Sequence, residues 1–530
     1  MLLTSVAEVT KDNVADVIEN IMKKHNSNVK EIEFLISYER GKQPILEREK
    51  QVRPEINEKI VTNIAHEIAE FKVDYIWGQP YTYVQRADHD VEDDSTSLRD
   101  DTNVNALNKM FYEERKHSKD IKLAKQVCTT GVGYRMITQK DSVDGYSVFD
   151  ITNLDPCTTF VVYSADPFHK KMLSGTYWKE ERDGESGELS MYHYTLYTDT
   201  KVFTLDAPWS IDNGFMRTNM AVEEYANGIG INPIVEYLYD EDRMGCFERA
   251  IPLLDAINVA ESDRVNGLAQ FVQSLIWMNN TEIDETEYEA LIEYGVIQTA
   301  SKNGLNATIQ YIQTVLNQTE TQSLADDLYS KALEVCQVPA RGSTGGGNTG
   351  VALMLGESGW QLAETDAQTR EMYFIDSEIE SLRVVKNIVE RASESDIEEM
   401  QIADIEIKSN RNKISNLATK VSALSTMLSA GIHPRHSILN SDIFSDPEQV
   451  YLDSKPYLDN LYKTVTDSED TAVDTDGGTM PSLLDGEVED GGLDGMPEST
   501  EAEPSQTDEL VNGDSNPDED KNKKRNKKKS

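Results

Sequence analysis

The sequence predicts an α+β fold in which a β-rich middle region lies between long helices and is followed by a disordered acidic tail. Helical periodicity of apolar residues occupies much of the first 130 residues and returns after residue 245. Between residues 131 and 240 the pattern changes to alternating and β-branched runs, such as TTFVVYS and YHYTLYT, that are typical of strands. From residue 466 the chain is acidic, rich in Gly and Pro and poor in aromatics, so it lacks the apolar surface needed to offset the entropy of ordering.

The chain is strongly acidic, with a formal net charge of -44 over 530 residues. Residues 466–520 carry 19 acidic side chains and the last ten residues carry seven basic ones, so a charge of -32 remains on residues 1–465. This balance excludes the basic footprint of a conventional nucleic-acid-binding protein. No apolar run approaches the roughly 18 residues that span a bilayer, and the first residues lack a signal-peptide pattern. We therefore expect a soluble protein that is not exported.

In the first half of the chain, helices are predicted over about 11–24, 57–76 and 104–128. Gly78-Gln79-Pro80 ends the second helix, and a strand, YTYVQ, and a solvated acidic loop, DHDVEDDSTSLRDD, separate it from the third. The strand-like runs that follow predict a β-rich α+β module; they are YRMIT, YSVFDI, TTFVVYS, YHYTLYT, KVFTL and PIVEYLY.

In the second half, a long helix is predicted from about 248 to 276, with one apolar side that packs and one polar side that faces water. The polar side carries Asp255, Ser262, Asp263, Asn266 and Gln273. A short acidic module over 277–305, a helix over 319–335, a long Gly-rich loop over 339–350 and helices over 362–411 and 414–429 complete the predicted elements.

Several segments, in order across residues 55–460, resemble portal proteins of tailed phages, especially the branch found in long-tailed phages of Gram-positive hosts. Each motif is weak alone, and the ordered succession carries the resemblance. The segments are Asn63–Glu67 with Gly78–Pro80, Gly131–Arg135, Asn153–Pro156 with Phe160–Tyr163, Asn232–Tyr237 with Gly245–Glu248 and Leu254–Asn258, Asn348–Leu353, and Gly431–Glu448. In Asn348–Leu353, Thr349 stands where a Ser is more familiar in the family.

The resemblance implies a portal-type fold with a β-rich wing, long stem helices, a small clip module, a helical crown and the disordered tail. The implied domains are a wing at 1–240, a stem helix at 241–276, a clip at 277–305, a second stem helix at 306–336, a Gly-rich tunnel loop at 337–358, a wing helix at 359–410, a crown at 411–465 and the tail at 466–530.

The resemblance also implies three groups of functional residues. A tunnel loop near DNA would comprise Arg341, Gly342, Ser343, Thr344, Gly345, Gly346, Gly347 and Asn348. A channel-facing side of the stem would carry Asp255, Glu261 and Asp263, an acidic wall that repels DNA phosphates and centres the duplex. Docking residues of the clip would be Trp277, Glu282, Asp284, Glu285 and Glu287. The alternatives are a passive flexible linker for the loop and a solvated acidic loop for the clip.

By the same resemblance, the chain forms a ring, twelve-membered in virions, at one capsid vertex, through which double-stranded DNA passes without sequence specificity. Its partners would be the terminase large subunit, the major capsid and scaffolding proteins and later a head-completion adaptor, with assembly in the cytoplasm of the host bacterium. One rival interpretation is another phage head structural or head-joining protein without a DNA channel.

A second rival interpretation is an enzyme, such as a nucleotide-driven motor or a nuclease. The Gly-rich loop lacks the Lys of GxxxxGK[ST], and the sequence shows no persuasive cluster of catalytic or metal-binding carboxylates. We expect no catalytic site, cofactor or metal. His433-Pro434-Arg435-His436 is interpreted as a turn, and Cys128, Cys157, Cys246 and Cys336 as buried reduced thiols. The basic end, residues 521–530, is either a solubilising appendage or a contact to DNA or an acidic scaffold surface.

Overall fold

The computed structural model divides the chain into a unit of residues 1–468 and a unit of residues 469–530. The residues it describes all belong to the first unit, so the predicted tail lies outside them. The described residues are 1–51, 54–86, 102–140, 147–180, 190–210, 214–215, 221–272, 275–279, 308–312, 318–339, 350–392, 397, 401–409, 417–441, 443–444, 447 and 449–457.

The predicted mixture of helix and sheet is confirmed. The α-helices among the described residues are α1 Val14–Glu39, α2 Ile64–Trp77, α3 Thr102–Glu113, α4 Lys116–Thr130, α5 Ile251–Val272, α6 Gln318–Val335, α7 Gly350–Val389, α8 Leu417–Ser429 and α9 Pro434–Ser441. The strands are β1 Leu2–Thr4, β2 Thr82–Gln85, β3 Val132–Gln139, β4 Phe149–Leu154, β5 Thr159–Ser164, β6 Lys171–Glu180, β7 Ser190–Tyr197, β8 Lys201–Ser210, β9 Gly214–Phe215, β10 Ala221–Ala226, β11 Ile234–Leu238, β12 Leu275–Asn279, β13 Thr308–Ile312 and β14 Ile405–Lys408.

The strands form one large sheet and three small ones. The large sheet has the order β1-β5-β6-β7-β8-β10, with β9 paired to β8, and every pairing is antiparallel except that of β1 with β5. A three-stranded antiparallel sheet has the order β11-β3-β4. Two antiparallel pairs, β12 with β13 and β14 with β2, complete the sheets.

Three clusters of buried apolar residues hold these layers together, the smallest of which joins α1, β3 and β5 through Ile32, Val132 and Val161. In the large sheet, alternate residues such as Phe160 and Val162 face the same way and pack on the apolar stripe of α1, which includes Val14, Ile18 and Ile21. The main core instead joins α2 to α7 with the three-stranded sheet. The long helix α7 lies against β11, β3 and β4, so the three-stranded sheet connects α7 to the rest of the fold.

The turn from α4 into β3 requires a glycine at position 131. Gly131 ends α4 with a φ of 78°, a left-handed conformation that glycine adopts without a steric cost. A Cβ at this position would collide with the backbone carbonyl of Arg243. The glycine therefore lets the loop before α5 approach the end of α4.

Several predicted helix boundaries in the first half of the chain are wrong. α1 continues to Glu39 instead of ending near residue 24. α2 begins at Ile64, because residues 54–63 run without helix along α5. The single predicted helix over 104–128 is two helices, separated at Arg115, whose φ is 52°.

Boundaries around the Gly-rich loop also differ from the prediction. α7 begins at Gly350, whereas we predicted loop through residue 358, and it ends at Val389 instead of near residue 411. Residues 308–312 form β13, so the helix expected over 306–336 begins at Gln318. Ile405 and Ile407 alternate with charged residues and pack on the main core, so a strand is favoured where a helix was predicted.

Candidate functional site

The candidate site is the pair of helices α5 and α6, which pack against each other and correspond to the predicted stem. β12 follows α5 and β13 precedes α6, so the two-stranded sheet β12–β13 joins the pair at one end. At the other end of α6, the chain enters the Gly-rich segment that leads to α7.

Ser262 and Asn266, on the polar side of α5, are packed against protein, which corrects the prediction that they face water, whereas Asp263 on the same side remains exposed. Asn258, Ser262 and Asn266 lie one helical turn apart and are at most 1% exposed. Their side chains accept hydrogen bonds from three backbone amides of residues 58–62, with donor–acceptor distances of 3.0, 2.9 and 2.7 Å. The Asn266 amide also donates to the carbonyl of Glu58 at 3.1 Å. These side chains replace the partner strand that the extended segment lacks.

The three acidic residues predicted to line the channel each have a partner within the chain. Asp255 accepts a hydrogen bond of 2.9 Å from the Tyr38 hydroxyl, and burial together with this bond raises the Tyr38 pKa. Arg48 donates to Asp263 at 2.7 Å. Glu261 binds Arg264, one turn further along α5, through both carboxylate oxygens at 2.8 and 2.9 Å.

Among the described residues, several large apolar side chains of the helix pair remain exposed to solvent. Val259, Val265 and Leu268 on α5 are 42%, 39% and 58% exposed. Leu324 on α6 is 53% exposed. Val265 and Leu268 lie three residues apart on the same side of α5, and neighbouring exposed apolar side chains are typical of a surface that another protein covers.

The tunnel-loop residues Arg341 to Asn348 lie outside the described residues, but the two ends of that segment are described. Gln337, two residues after the end of α6, adopts a left-handed φ of 53°. The buried Lys72 ammonium donates to the Gln337 carbonyl at 3.1 Å and to the Asp366 carboxylate on α7 at 2.6 Å. Lys72 thereby ties the end of α6 to α7 at the base of the Gly-rich segment.

A second buried network fixes the middle of α7. Glu378 lies between two cations, with Arg135 at 2.8 Å and Lys116 at 3.1 Å, and Asp120 binds the same two cations at 2.6 and 2.9 Å. Burial by itself would raise the Glu378 pKa, but Lys116 and Arg135 hold it below its ordinary value. The hydroxyls of Tyr83 and Tyr237 also donate to Glu378, each at 2.8 Å.

Sequence reasoning missed both networks. Arg135 is part of the motif Gly131–Arg135, yet its partners are 15 and 243 residues away in sequence. A single Arg in a strand-like run carries no signal that it is buried. The runs of residues that contain Lys72 and Glu378 predicted amphipathic helices, whose charged residues normally face water.

The structure places the remaining predicted residues as follows. Trp277 belongs to β12, where its backbone pairs with Gln310 of β13. The other proposed clip residues, Glu282, Asp284, Glu285 and Glu287, lie outside the described residues.

The four cysteines are free thiols, and all except the partly exposed Cys157 are buried. Burial raises the pKa of Cys336 to about 12, which makes it a poor nucleophile. His433 precedes α9, and its Nδ1 accepts a hydrogen bond from the backbone amide of Arg435, as expected for a turn into a helix. In the described part of the chain, no helix has the length and apolarity to cross a membrane.

The sequence over residues 18–451 matches the family model described as "Phage portal protein, SPP1 Gp6-like". This range contains α2 to α9, and therefore the whole helix pair and the Gly-rich segment. In a comparison with curated proteins, none matched the chain. Among solved structures, a chain from "Virion of native gene transfer agent (GTA) particle" is 13% identical with a TM-score of 0.36; the similarity covers 69% of this chain and 85% of that chain.

Proposed function

We propose, from the premise that this chain belongs to the SPP1 Gp6-like family of phage portal proteins, that twelve copies form a closed ring around a channel for double-stranded DNA. Membership makes the chain a structural, non-enzymatic component of a bacteriophage virion and implies an oligomeric ring in the capsid. The ring would occupy one capsid vertex and conduct DNA during packaging and ejection. In the long-tailed phages of Gram-positive hosts that the sequence resembles, assembly would take place in the host cytoplasm.

The observation that carries the proposal is the exposed apolar surface of α5 and α6 described above. A closed ring of identical subunits needs two different complementary surfaces on each subunit. Val265 and Leu268, which lie on one side of α5, would belong to one of them and would pack against the next subunit, whereas Val259 lies on the opposite side of the helix from Leu268. Such packing would remove from water the large apolar side chains that the single chain leaves exposed.

The domain assignment follows from the family resemblance, with bounds taken from the observed elements. The wing would comprise the N-terminal region through β11 together with α7, and the stem would be α5 and α6. The strands β12 and β13 would frame the clip, residues 340–349 would form the tunnel loop, and α8 and α9 would belong to the crown. Within this arrangement, the Lys72 contacts would hold the base of the tunnel loop.

The channel wall is proposed to be acidic because the part of the chain before the tail has a charge of -32. Duplex DNA carries one charge per about 1.7 Å of its axis, and a wall with many basic contacts would bind it tightly. Of the three acidic candidates, Asp263 is the most exposed, at 49% of its side chain, in spite of its contact with Arg48. In the tunnel loop, Arg341 is the cation proposed to touch a phosphate.

The proposed partners dock on different parts of the ring. The terminase large subunit, and later the head-completion adaptor, would bind the clip through Trp277 and the acidic residues that follow it. The major capsid and scaffolding proteins would contact the ring within the capsid shell. The acidic groups of the clip would make the affinity of this docking depend on salt, and Trp277 would add apolar contact area.

Disrupting the gene in the phage tests this function against the head-joining alternative. A portal protein is needed before DNA enters, so we expect heads without DNase-protected DNA. A head-joining protein acts after packaging, and its loss would leave heads that contain DNA but lack tails.

A phage that instead carries a deletion of residues 343–347 tests the loop, because normal DNA content in its heads would identify the segment as a passive linker.

A further inference from the structure

A cluster of metal-ligating side chains lies where the end of α1 meets the start of α2, apart from the helix pair and the networks around α7. Glu39 is the last residue of α1, and His66 and Glu70 lie one turn apart on α2. One ligand atom of each residue lies within 4.8 Å of the other two. We propose that these three side chains bind a divalent transition-metal ion, with Zn²⁺ as the best fit.

The fold holds the first ligand firmly in place. Glu39 is 6% exposed, and its carboxylate Oε1 lies 2.6 Å from Nδ1 of His66. The Asn63 side chain, directly before α2, donates to the Glu39 carbonyl at 3.0 Å and accepts from Gln43 at 3.1 Å. Gln43 in turn is hydrogen-bonded to the buried Asn258 of α5. A ligand that is braced in this way loses little freedom when it binds a metal.

The distances fit a metal after small side-chain movements. A tetrahedral ion at about 2.0–2.2 Å from each ligand separates the ligand atoms by roughly 3.4 Å. The observed separations are 2.6 Å between Glu39 and His66 and 4.0 Å between His66 and Glu70, on either side of that value. His66 and Glu70 are 48% and 41% exposed, so their side chains are free to adjust.

A cation already lies between the two carboxylates. The Lys125 ammonium of α4 is 2.7 Å from Glu70 and 3.7 Å from Glu39. The Lys125 ammonium contacts only the two carboxylates through hydrogen bonds, whereas a transition-metal ion would coordinate the imidazole as well and carries twice the charge. Lys125 is 47% exposed and borders an open groove of about 790 Å³, so its side chain is able to turn aside.

The donor set selects the kind of ion. One imidazole nitrogen and two carboxylate oxygens, with a further position open to water, suit Zn²⁺, whereas Mg²⁺ and Ca²⁺ prefer oxygen ligands alone. A bound ion would join the end of α1 to α2. Since α1 covers the large sheet and α2 belongs to the main core, the ion would also link these two parts of the fold. Since the folded chain brings the ligands together, binding would stabilise this junction. The site does not depend on the proposed function.

The test is a Zn²⁺ titration of the full-length protein by calorimetry, in buffer with millimolar Mg²⁺ to occupy weak acidic sites. The variants are His66→Gln and Glu70→Gln, which remove exposed ligands, and Lys125→Met, which removes the competing cation. His193→Gln is the matched control, because His193 also contacts a carboxylate, Asp206 at 2.6 Å, but belongs to no three-ligand cluster among the described residues.

We expect one Zn²⁺ site per chain in the wild type and in the control, at least a tenfold loss of affinity in His66→Gln and Glu70→Gln, and at least a tenfold gain in Lys125→Met. Equal binding by the wild type and His66→Gln would overturn the proposal. Unchanged affinity in Lys125→Met would also overturn it, because it would place the bound ion elsewhere.

Discussion

At the scale of single residues, the buried charges around α7 matter most for the fold. Arg135, Lys116, Asp120 and Glu378 are each at most 6% exposed in their side chains, and the four charges sum to zero. A buried ion is costly when its partners are removed, because it keeps the desolvation penalty and loses the attraction. The network therefore makes the position of α7 on the three-stranded sheet specific.

Replacing Glu378 with Gln should destabilise the protein by about 3–5 kcal/mol, because Arg135 and Lys116 would remain buried with an unbalanced charge. The measurement is denaturant-induced unfolding at fixed protein concentration. Glu380→Gln is the matched control, since Glu380 lies two residues further on α7 and its contact with Lys171, at 2.7 Å, is partly exposed. The control should lose no more than about 1 kcal/mol, and equal losses in the two variants would contradict the role given to the network.

His25 should make stability depend on pH. Burial lowers its pKa from the usual 6.5 to about 4, although a contact with the backbone of Cys157 acts in the opposite sense. The unfolded chain therefore takes up this proton first as the pH falls, so the stability that the neutral imidazole provides is present above pH 6.5 and lost between pH 6.5 and 4.

The difference in unfolding free energy between the wild type and His25→Gln should change by about 3 kcal/mol across that window, with the wild type losing stability on acidification. Gln does not titrate, and it retains the ability to bond to the Tyr177 hydroxyl, which lies 3.3 Å from the imidazole Nε2. Parallel pH profiles for the two proteins would show that His25 is not responsible.

At the scale of elements, the sequence predicted which segments form α5 and α6 but not which side of α5 packs. The amphipathic pattern assigned the polar side to water, whereas Asn258, Ser262 and Asn266 bind backbone amides of residues 58–62. A side-chain amide can pair with water or with an extended backbone, and the residue pattern is the same for both partners. The apolar Val265 and Leu268, predicted to pack, are exposed in the single chain, as a subunit interface requires.

Two adjacent residues of α5 have different roles, since Asn258 packs within the subunit and Val259 is exposed on its surface. Asn258→Ala should cost about 1–3 kcal/mol in unfolding free energy, because it leaves the Thr62 amide without its acceptor. Val259→Ser, one residue further and 42% exposed, should leave the fold of the subunit nearly unchanged. Denaturation curves of the two variants provide the comparison, and a larger loss in Val259→Ser would contradict the packing described for α5.

Leu268→Glu should reduce ring formation without unfolding the subunit, because a carboxylate would be buried between neighbouring chains without a partner. Native mass measurements and circular dichroism report the two effects separately. Tyr112→Glu is the control, since Tyr112 is 88% exposed on α3, where no subunit contact is proposed. Rings of normal mass from Leu268→Glu would exclude this side of α5 from the interface.

The local sequence pattern did not predict two boundaries. β14 is a four-residue strand that exists because β2 offers a free edge more than 300 residues earlier in the chain. α7 begins at Gly350, after a run of glycines that local propensity places in a loop. Periodicity reports only the local pattern, so it indicates neither the distant edge nor the start of this helix.

At the scale of the whole molecule, charge is the property that the sequence predicts most directly. If α5 lines an acidic channel, the double variant Glu261→Lys and Asp263→Lys should slow DNA packaging and make its rate more dependent on salt. The double variant Glu31→Lys and Glu33→Lys, two exposed changes on α1, matches the change in net charge. The measurement is DNase-protected DNA per head over time at two salt concentrations. Identical rates and salt dependence in all three proteins would remove α5 from the channel wall.

The proposed function requires this chain to close into a ring with an axial hole. Negative-stain electron microscopy of the purified protein, combined with its mass in solution, would show such a ring. We expect rings with a central hole and a mass near twelve times the 59.6 kDa of one chain. Monomers or dimers without rings, over a wide range of protein concentration, would contradict it.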